Sequence, residues 1–177
     1  DEYRHILNDS QAKAVLVDDE LSGDLAEVTD NVTIDEIISI GDQAALSSRE
    51  YTSIVADESR ARYDAAVEPG DLFALQYTGG TTGRPKGVKH TNFGWTMDLY
   101  LHLIELDIGP KERMLFTTPL PHAAGMQLQA GLLRGAHVTV SDDFTPESFV
   151  ETVDEVDISW TLMVPTMIYS VLDSTAV

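Results

Sequence analysis

The sequence predicts an α/β fold. Short apolar strand segments alternate with segments of helical period along most of the chain, glycine and proline fall at the boundaries between them, and no repeat or low-complexity tract interrupts the alternation. Tyr3 to Leu7 reads as the end of a helix stopped by Asn8-Asp9-Ser10. Ala14 to Val17 is a short apolar strand running into the acidic turn residues Asp18-Asp19-Glu20. Residues 18 to 70 carry weaker signals: a strand from Ile37 to Ile40 closed by Gly41, a short helix around Ser48 to Ala56, and a polar stretch to Pro69-Gly70.

From Asp71 the pattern sharpens. Leu72 to Tyr77 reads as a buried strand, a glycine-rich loop follows, Val88 to His90 is a second short strand, and Thr91 is placed to cap a helix. Phe93, Met97, Tyr100, Leu101 and Ile104 recur at helical spacing and are expected to face a core, with the helix ending near Gly109-Pro110. Asp98, His102 and Glu105 then lie on its polar outer face. Met114 to Thr117 is a strand, Ala123 to Arg134 a helix with Gly135 as its C′ residue, and Ala136 to Val140 a strand. Thr145-Pro146-Glu147 has the order N-cap, first-turn proline, first-turn acid. Ile158 to Val164 reads as strand and Thr166 to Leu172 as a helix after Pro165.

The 177 residues suffice for one sizeable core, as a single domain or as part of a larger one. No apolar run approaches the ~20 residues that span a bilayer, so no membrane span is expected. The acidic opening lacks the succession of a secretory signal, and with no cysteine there is no disulfide, thiolate metal site or cysteine nucleophile. A cytoplasmic setting is expected. Thirty acids against 11 bases give a net charge of -19, which disfavours nucleic acid as a partner. The acids are scattered rather than blocked, and lysine is reduced to Lys13, Lys86, Lys89 and Lys111, a surface suited to high salt; a halophilic source is the expectation.

The chemistry concentrates in Tyr77 to Asn92, YTGGTTGRPKGVKHTN. Thr78-Gly79-Gly80-Thr81-Thr82-Gly83 combines three glycines with three hydroxyls. Glycine lets backbone N–H groups turn toward an anion at close approach, threonine hydroxyls add donors, and Lys86 adds a point charge. A Walker A loop needs glycine before its lysine and a hydroxyl residue after, whereas Lys86 lies between Pro85 and Gly87. Gly79, Gly80 and Gly83 also lack the spacing of a dinucleotide fingerprint. An ordinary exposed turn accounts for one or two small residues, not for six in succession followed by a lysine.

The segment resembles the signature loop of the AMP-forming acyl-CoA synthetase superfamily, usually written YTSGTTGxPKGV, with Gly79 in place of the serine. The context LQYTGGTTG from Leu75 to Gly83 is most similar to long-chain fatty acid CoA ligases. The family pattern often continues with threonine and histidine; here Asn92 follows Thr91 and takes no role. Thr117 to Met126, TTPLPHAAGM, resembles the family's PLFHxxG motif, with Pro121 where an aromatic is common. Asp1 to Asp18 and Val164 to Leu172 are similar to family segments before and after these motifs.

The resemblance implies part of the large N-terminal domain of an adenylate-forming enzyme, mainly parallel sheet with flanking helices, with the rest of that domain and a small C-terminal domain outside residues 1–177. It implies ATP, Mg²⁺ and CoA as the groups used, and a small-molecule carboxylic acid as substrate. Thr78, Gly79, Gly80, Thr81, Thr82, Gly83 and Lys86 would grip the ATP phosphates, Lys86 as a catalytic cation, and His122 would lie beside the acyl carboxylate. No metal ligand is expected within the chain, and His5, His90, His102 and His137 are expected to be structural. A fatty acid is the expected substrate. Adenylation of an aryl or amino acid, and a non-catalytic nucleotide- or protein-binding domain, remain the alternatives.

Overall fold

The computed structural model describes residues 2–29, 32–41, 49–57, 64–79 and 83–175. They fall into two compact units, Asp1–Thr91 and Asn92–Val177. The first contains α1 (Glu2–Ser10), β1 (Ala14–Asp18), α2 (Asp19–Ala26), β2 (Glu36–Ile40), β3 (Arg49–Glu50), α3 (Tyr51–Asp57), β4 (Leu72–Thr78) and β5 (Lys86–Thr91). The second contains α4 (Asn92–Glu105), β6 (Arg113–Phe116), α5 (Ala123–Arg134), β7 (His137–Val140), α6 (Pro146–Val156), β8 (Trp160–Leu162) and α7 (Pro165–Leu172). The α/β class is as the alternation predicts.

In the first unit β1, β2 and β3 pair in parallel, in that order. Parallel strands need crossover segments, and α2 supplies the one between β1 and β2. The acidic cluster expected to form a turn instead starts this helix: the Asp18 carboxylate accepts from the Glu20 backbone N–H at 3.1 Å, and Asp19 and Glu20 fill the first turn, where the helix dipole favours negative charge. Val17, Leu25 and Val28 form the core here, with Leu7, Val15 and Ile37 packed against them. Helix α1 runs through the residues expected to stop it, because Asn8 Nδ2 donates to the Arg4 carbonyl at 2.9 Å and Ser10 Oγ to the Leu7 carbonyl at 3.3 Å. It stops at Gln11, whose φ of 54° is left-handed. Of the helix expected near Ser48 to Ala56, Ser48 lies outside the described residues.

Strands β4 and β5 form a separate antiparallel ribbon, unlike the parallel sheets on either side of it in sequence. The glycine-rich segment is therefore the loop of a β-hairpin.

The second unit is built on a parallel sheet in the order β7-β6-β8. Its centre is β6, where Met114, Leu115 and Phe116 are fully buried. Ile108, Ala124, Ala130 and Ala136 complete the cluster, and the Phe116 and Trp160 rings meet at a centroid distance of 5.7 Å. Helix α5 ends as predicted, with Gly135 in the left-handed region at φ 79°. Thr145 caps α6: its hydroxyl accepts from the Ser148 N–H at 3.1 Å, and Ser148 Oγ accepts from the Thr145 N–H at 3.1 Å, a reciprocal capping box.

The expected inward face of α4 is corrected. Phe93, Tyr100, Leu101 and Ile104 are 56–70% exposed and Met97 38%. The inward stripe is the buried Trp95 with the half-buried Leu99 and Leu103, continued by Leu106 beyond the helix. Trp95 Nε1 donates to Gln129 Oε1 on α5 at 3.0 Å, an interaction that fixes which face turns inward.

Candidate active site

The ribbon sorts the loop residues by face. Thr78 pairs with Lys86 and Tyr77 with Gly87, and directly opposed residues of an antiparallel pair project to one side. Thr78 and Lys86 thus share one face at the mouth of the loop, while Tyr77 and Gly87 share the other. Thr78 Oγ1 donates to the Lys86 carbonyl at 3.4 Å across the closing pair. Gly79 and Gly83, the described ends of the loop, have open space where a Cβ would stand. Gly80, Thr81 and Thr82 lie outside the described residues.

On the opposite face the Tyr77 ring lies across Gly87. A Cβ at Gly87 would come 3.1 Å from the ring, so only glycine fits beneath it without displacement. The Tyr77 hydroxyl donates to Asp9 Oδ2 of α1 at 2.7 Å, and the His5 ring stands edge-on to it at 6.5 Å. Burial, aided by the Asp9 hydrogen bond and negative charge, pushes the Tyr77 phenol up to about 12. His5 Nε2 donates to the Pro85 carbonyl at 2.9 Å. A cleft of about 880 Å³ between α1 and the loop is lined by Glu2, Arg4, His5, Asn8, Gly79, Gly83, Arg84 and Pro85. Gly79 and Gly83, at the described ends of the loop, are thus among its walls. Sequence reasoning left His5 as structural and gave Asp9 no role; the signal for both is tertiary, since their partners are 80 and 68 residues away.

His122 belongs to the second unit. It is the N-cap residue of α5, exposed, and its imidazole makes no capping hydrogen bond. The turn before it is tight: a Cβ at Gly125 would meet the Leu120 carbonyl oxygen at 2.2 Å, which explains the glycine of this motif. In the same stretch of sequence, Thr117 Oγ1, Thr118 Oγ1 and Gln127 Oε1 are buried atoms without a hydrogen-bond partner. Thr117 and Thr118 follow directly on β6, at the carboxyl end of a central parallel strand, where α/β folds bind ligands. Sequence reasoning assigned these three side chains no role.

The ribbon brings together Thr78, Gly79, Gly83 and Lys86; His122 belongs to the chain's other unit. Among the described residues no cluster of three His, Asp or Glu side chains is arranged to hold a metal, and no helix is long and apolar enough to cross a membrane.

Comparison with known proteins gives a consistent picture. The medium/long-chain-fatty-acid–CoA ligase FadD8 of Mycobacterium tuberculosis is 26% identical over 181 residues, covering 97% of this chain and 31% of that protein. A feruloyl-CoA synthase of an Amycolatopsis species is 35% identical over 130 residues, covering 70% of this chain and 26% of that protein. This chain thus spans less than a third of either relative. The solved structure of the anthranilate CoA ligase AuaEII in complex with anthranoyl-AMP shares the fold, with a TM-score of 0.88 at 20% identity over 98% of this chain and 35% of that one. The family described as AMP-binding enzyme matches residues 1–177 from end to end, and the chain belongs to it.

Proposed function

We propose that the protein containing this chain activates a carboxylic acid in two steps. A carboxylate oxygen attacks the α-phosphate of ATP, giving acyl-AMP and releasing pyrophosphate; the CoA thiolate then displaces AMP to give acyl-CoA. In this reading residues 1–177 are part of the large N-terminal domain of a cytoplasmic enzyme. The observation that carries it is the pairing of Thr78 with Lys86 at the mouth of a glycine-threonine loop, in a chain of the AMP-binding family.

The chain's own residues have distinct tasks. Lys86 holds its ammonium beside the β and γ phosphates and balances charge on the leaving pyrophosphate. Thr78 and the backbone N–H groups of Gly79 and Gly83 orient those phosphates, and Gly80, Thr81 and Thr82 are proposed as further phosphate-binding residues. Mg²⁺ bound with ATP would neutralise part of the phosphate charge. His122 donates to the acyl carboxylate, and the unpaired hydroxyls of Thr117 and Thr118 supply further donors on the substrate side.

A fatty acid is the proposed substrate, on the Gly79 variant of the loop and the likeness to FadD8. An aromatic acid is the second reading, favoured by the higher identity to feruloyl-CoA synthase over the residues aligned. The test is ATP–pyrophosphate exchange by the complete protein across fatty, aromatic and amino acids, followed by thioester formation with CoA. Exchange with fatty acids that falls about 10²- to 10³-fold in Lys86→Ala supports the proposal. Exchange with amino acids alone, without thioester, sinks it, and exchange with no acid favours a non-catalytic binding domain. The 177-residue chain by itself is expected to form no acyl-CoA.

A further inference from the structure

We propose that helix α1 is the positioning element of the phosphate-binding loop, with His5 and Asp9 as positioning residues that hold the loop's two feet from behind. The proposal rests on the phosphate-loop reading above. His5 and Asp9 are four residues apart on a helix and so project from one face. Each reaches one foot of the hairpin: Asp9 accepts from the Tyr77 hydroxyl at 2.7 Å, and His5 donates to the Pro85 carbonyl at 2.9 Å. Tyr77 immediately precedes Thr78, and Pro85 immediately precedes Lys86. Each tether therefore stands one residue from a group that grips phosphate.

The geometry separates holding from binding. The face alternation of the ribbon puts Tyr77 toward α1 and sends Thr78 and Lys86 the other way. His5 and Asp9 never compete with the ligand for the cation; they act through Tyr77 and Pro85. Three further features support the same function. Gly87 provides the space in which the Tyr77 ring reaches α1 across β5. The His5 ring packs edge-on against the Tyr77 ring, joining the two tethers. Pro85 has its φ set by its ring and no N–H of its own, so a hydrogen bond to its carbonyl fixes the remaining freedom of that foot. A ribbon of only two strands has little intrinsic stability, and an external brace supplies the order it lacks.

The experiment compares His5→Leu and Asp9→Ala with the conservative His5→Gln, which keeps a donor, and Asp9→Asn, which keeps an acceptor. In the complete protein, the two disruptive variants are expected to raise KM for ATP about ten- to a hundredfold while leaving KM for the acid unchanged. The conservative variants are expected to return it to within about threefold of wild type. Hydrogen exchange of the segment from Tyr77 to Gly87, without any ligand, reads the brace directly: exchange there accelerates in His5→Leu and Asp9→Ala and not in Lys86→Ala. Unchanged loop exchange in both disruptive variants overturns the brace. Faster loop exchange with an unchanged KM for ATP overturns the positioning role, and so does an equal rise in KM for the acid. Failure of the functional reading is seen separately, as ATP–pyrophosphate exchange that Lys86→Ala does not diminish.

Discussion

Strand β6 leads into the His122 turn and strand β5 leads out of the glycine-threonine loop, yet the two are held in different ways. β6 lies between parallel neighbours on both sides, and Met114, Leu115 and Phe116 are fully buried. Among the described residues β5 has one antiparallel neighbour, Val88 on it is 45% exposed, and its partner strand leaves Leu72 and Phe73 at 55% and 50%. What fixes the loop between β4 and β5 is a set of named polar contacts to α1. The histidine turn thus inherits its position from a packed core, whereas the glycine-threonine loop depends on a few hydrogen bonds at its feet. Substitutions near β6 should act on folding, and those near β5 on ligand geometry.

The largest expected effect is on the β6 side. Phe116→Ala removes a wholly buried ring from the Trp160 contact and should cost about 3–5 kcal/mol, read as a lower urea midpoint. Lys86→Ala should show the opposite profile: the exchange reaction falls as described above while the unfolding free energy changes by less than about 0.5 kcal/mol, as for an exposed side chain. If both variants lower the midpoint equally, the contrast between the two regions collapses. Gly87→Ala lies between them. Its methyl group enters the 3.1 Å space beneath a ring held by Asp9, and a loss of about 1–3 kcal/mol is expected, together with a raised KM for ATP.

The smallest effect is tied to pH. The folded-state pKa of Tyr77 is raised from 10.0 to about 12, so the neutral phenol is the form that the fold favours. Its contribution is fully present below pH 10 and is lost as pH rises through about 12. Tyr77→Phe should therefore be less stable than wild type by a constant margin up to pH 10, below about 1 kcal/mol for a solvent-screened contact, and the margin should close above it. A margin that stays constant into strong alkali would remove the Tyr77 tether from the account.

Most of the β6 region was legible in the sequence because its signals are local. Gly135 marks the end of α5 and Thr145-Pro146 the start of α6, each through backbone chemistry confined to one turn. Helix α4 was misread because it carries two apolar stripes at the same period. Periodicity cannot choose between Phe93-Met97-Tyr100-Leu101-Ile104 and Trp95-Leu99-Leu103; the bond from Trp95 to Gln129, 34 residues away, does. Helix α2 was missed because Asp18-Asp19-Glu20 fits a turn as well as a capped helix start. In the candidate site, residue types and spacing pointed to the loop and to Lys86, but the hairpin, its two faces and the tethers from α1 depend on residues far apart in sequence. Nothing in the order of the letters brings His5 beside Pro85.

The pairing of Thr78 with Lys86 also makes the site a matter of parity. Side chains of a strand alternate in direction, so a slip of β5 against β4 by a single residue would turn Lys86 toward α1 and leave Gly87 facing the ligand side. The cation would then stand behind the loop, where Tyr77 now lies. The loop can vary between its feet without this consequence, whereas β5 cannot shift by an odd step and keep its charge in place. An error of one in register, invisible in composition, would be enough to silence the site.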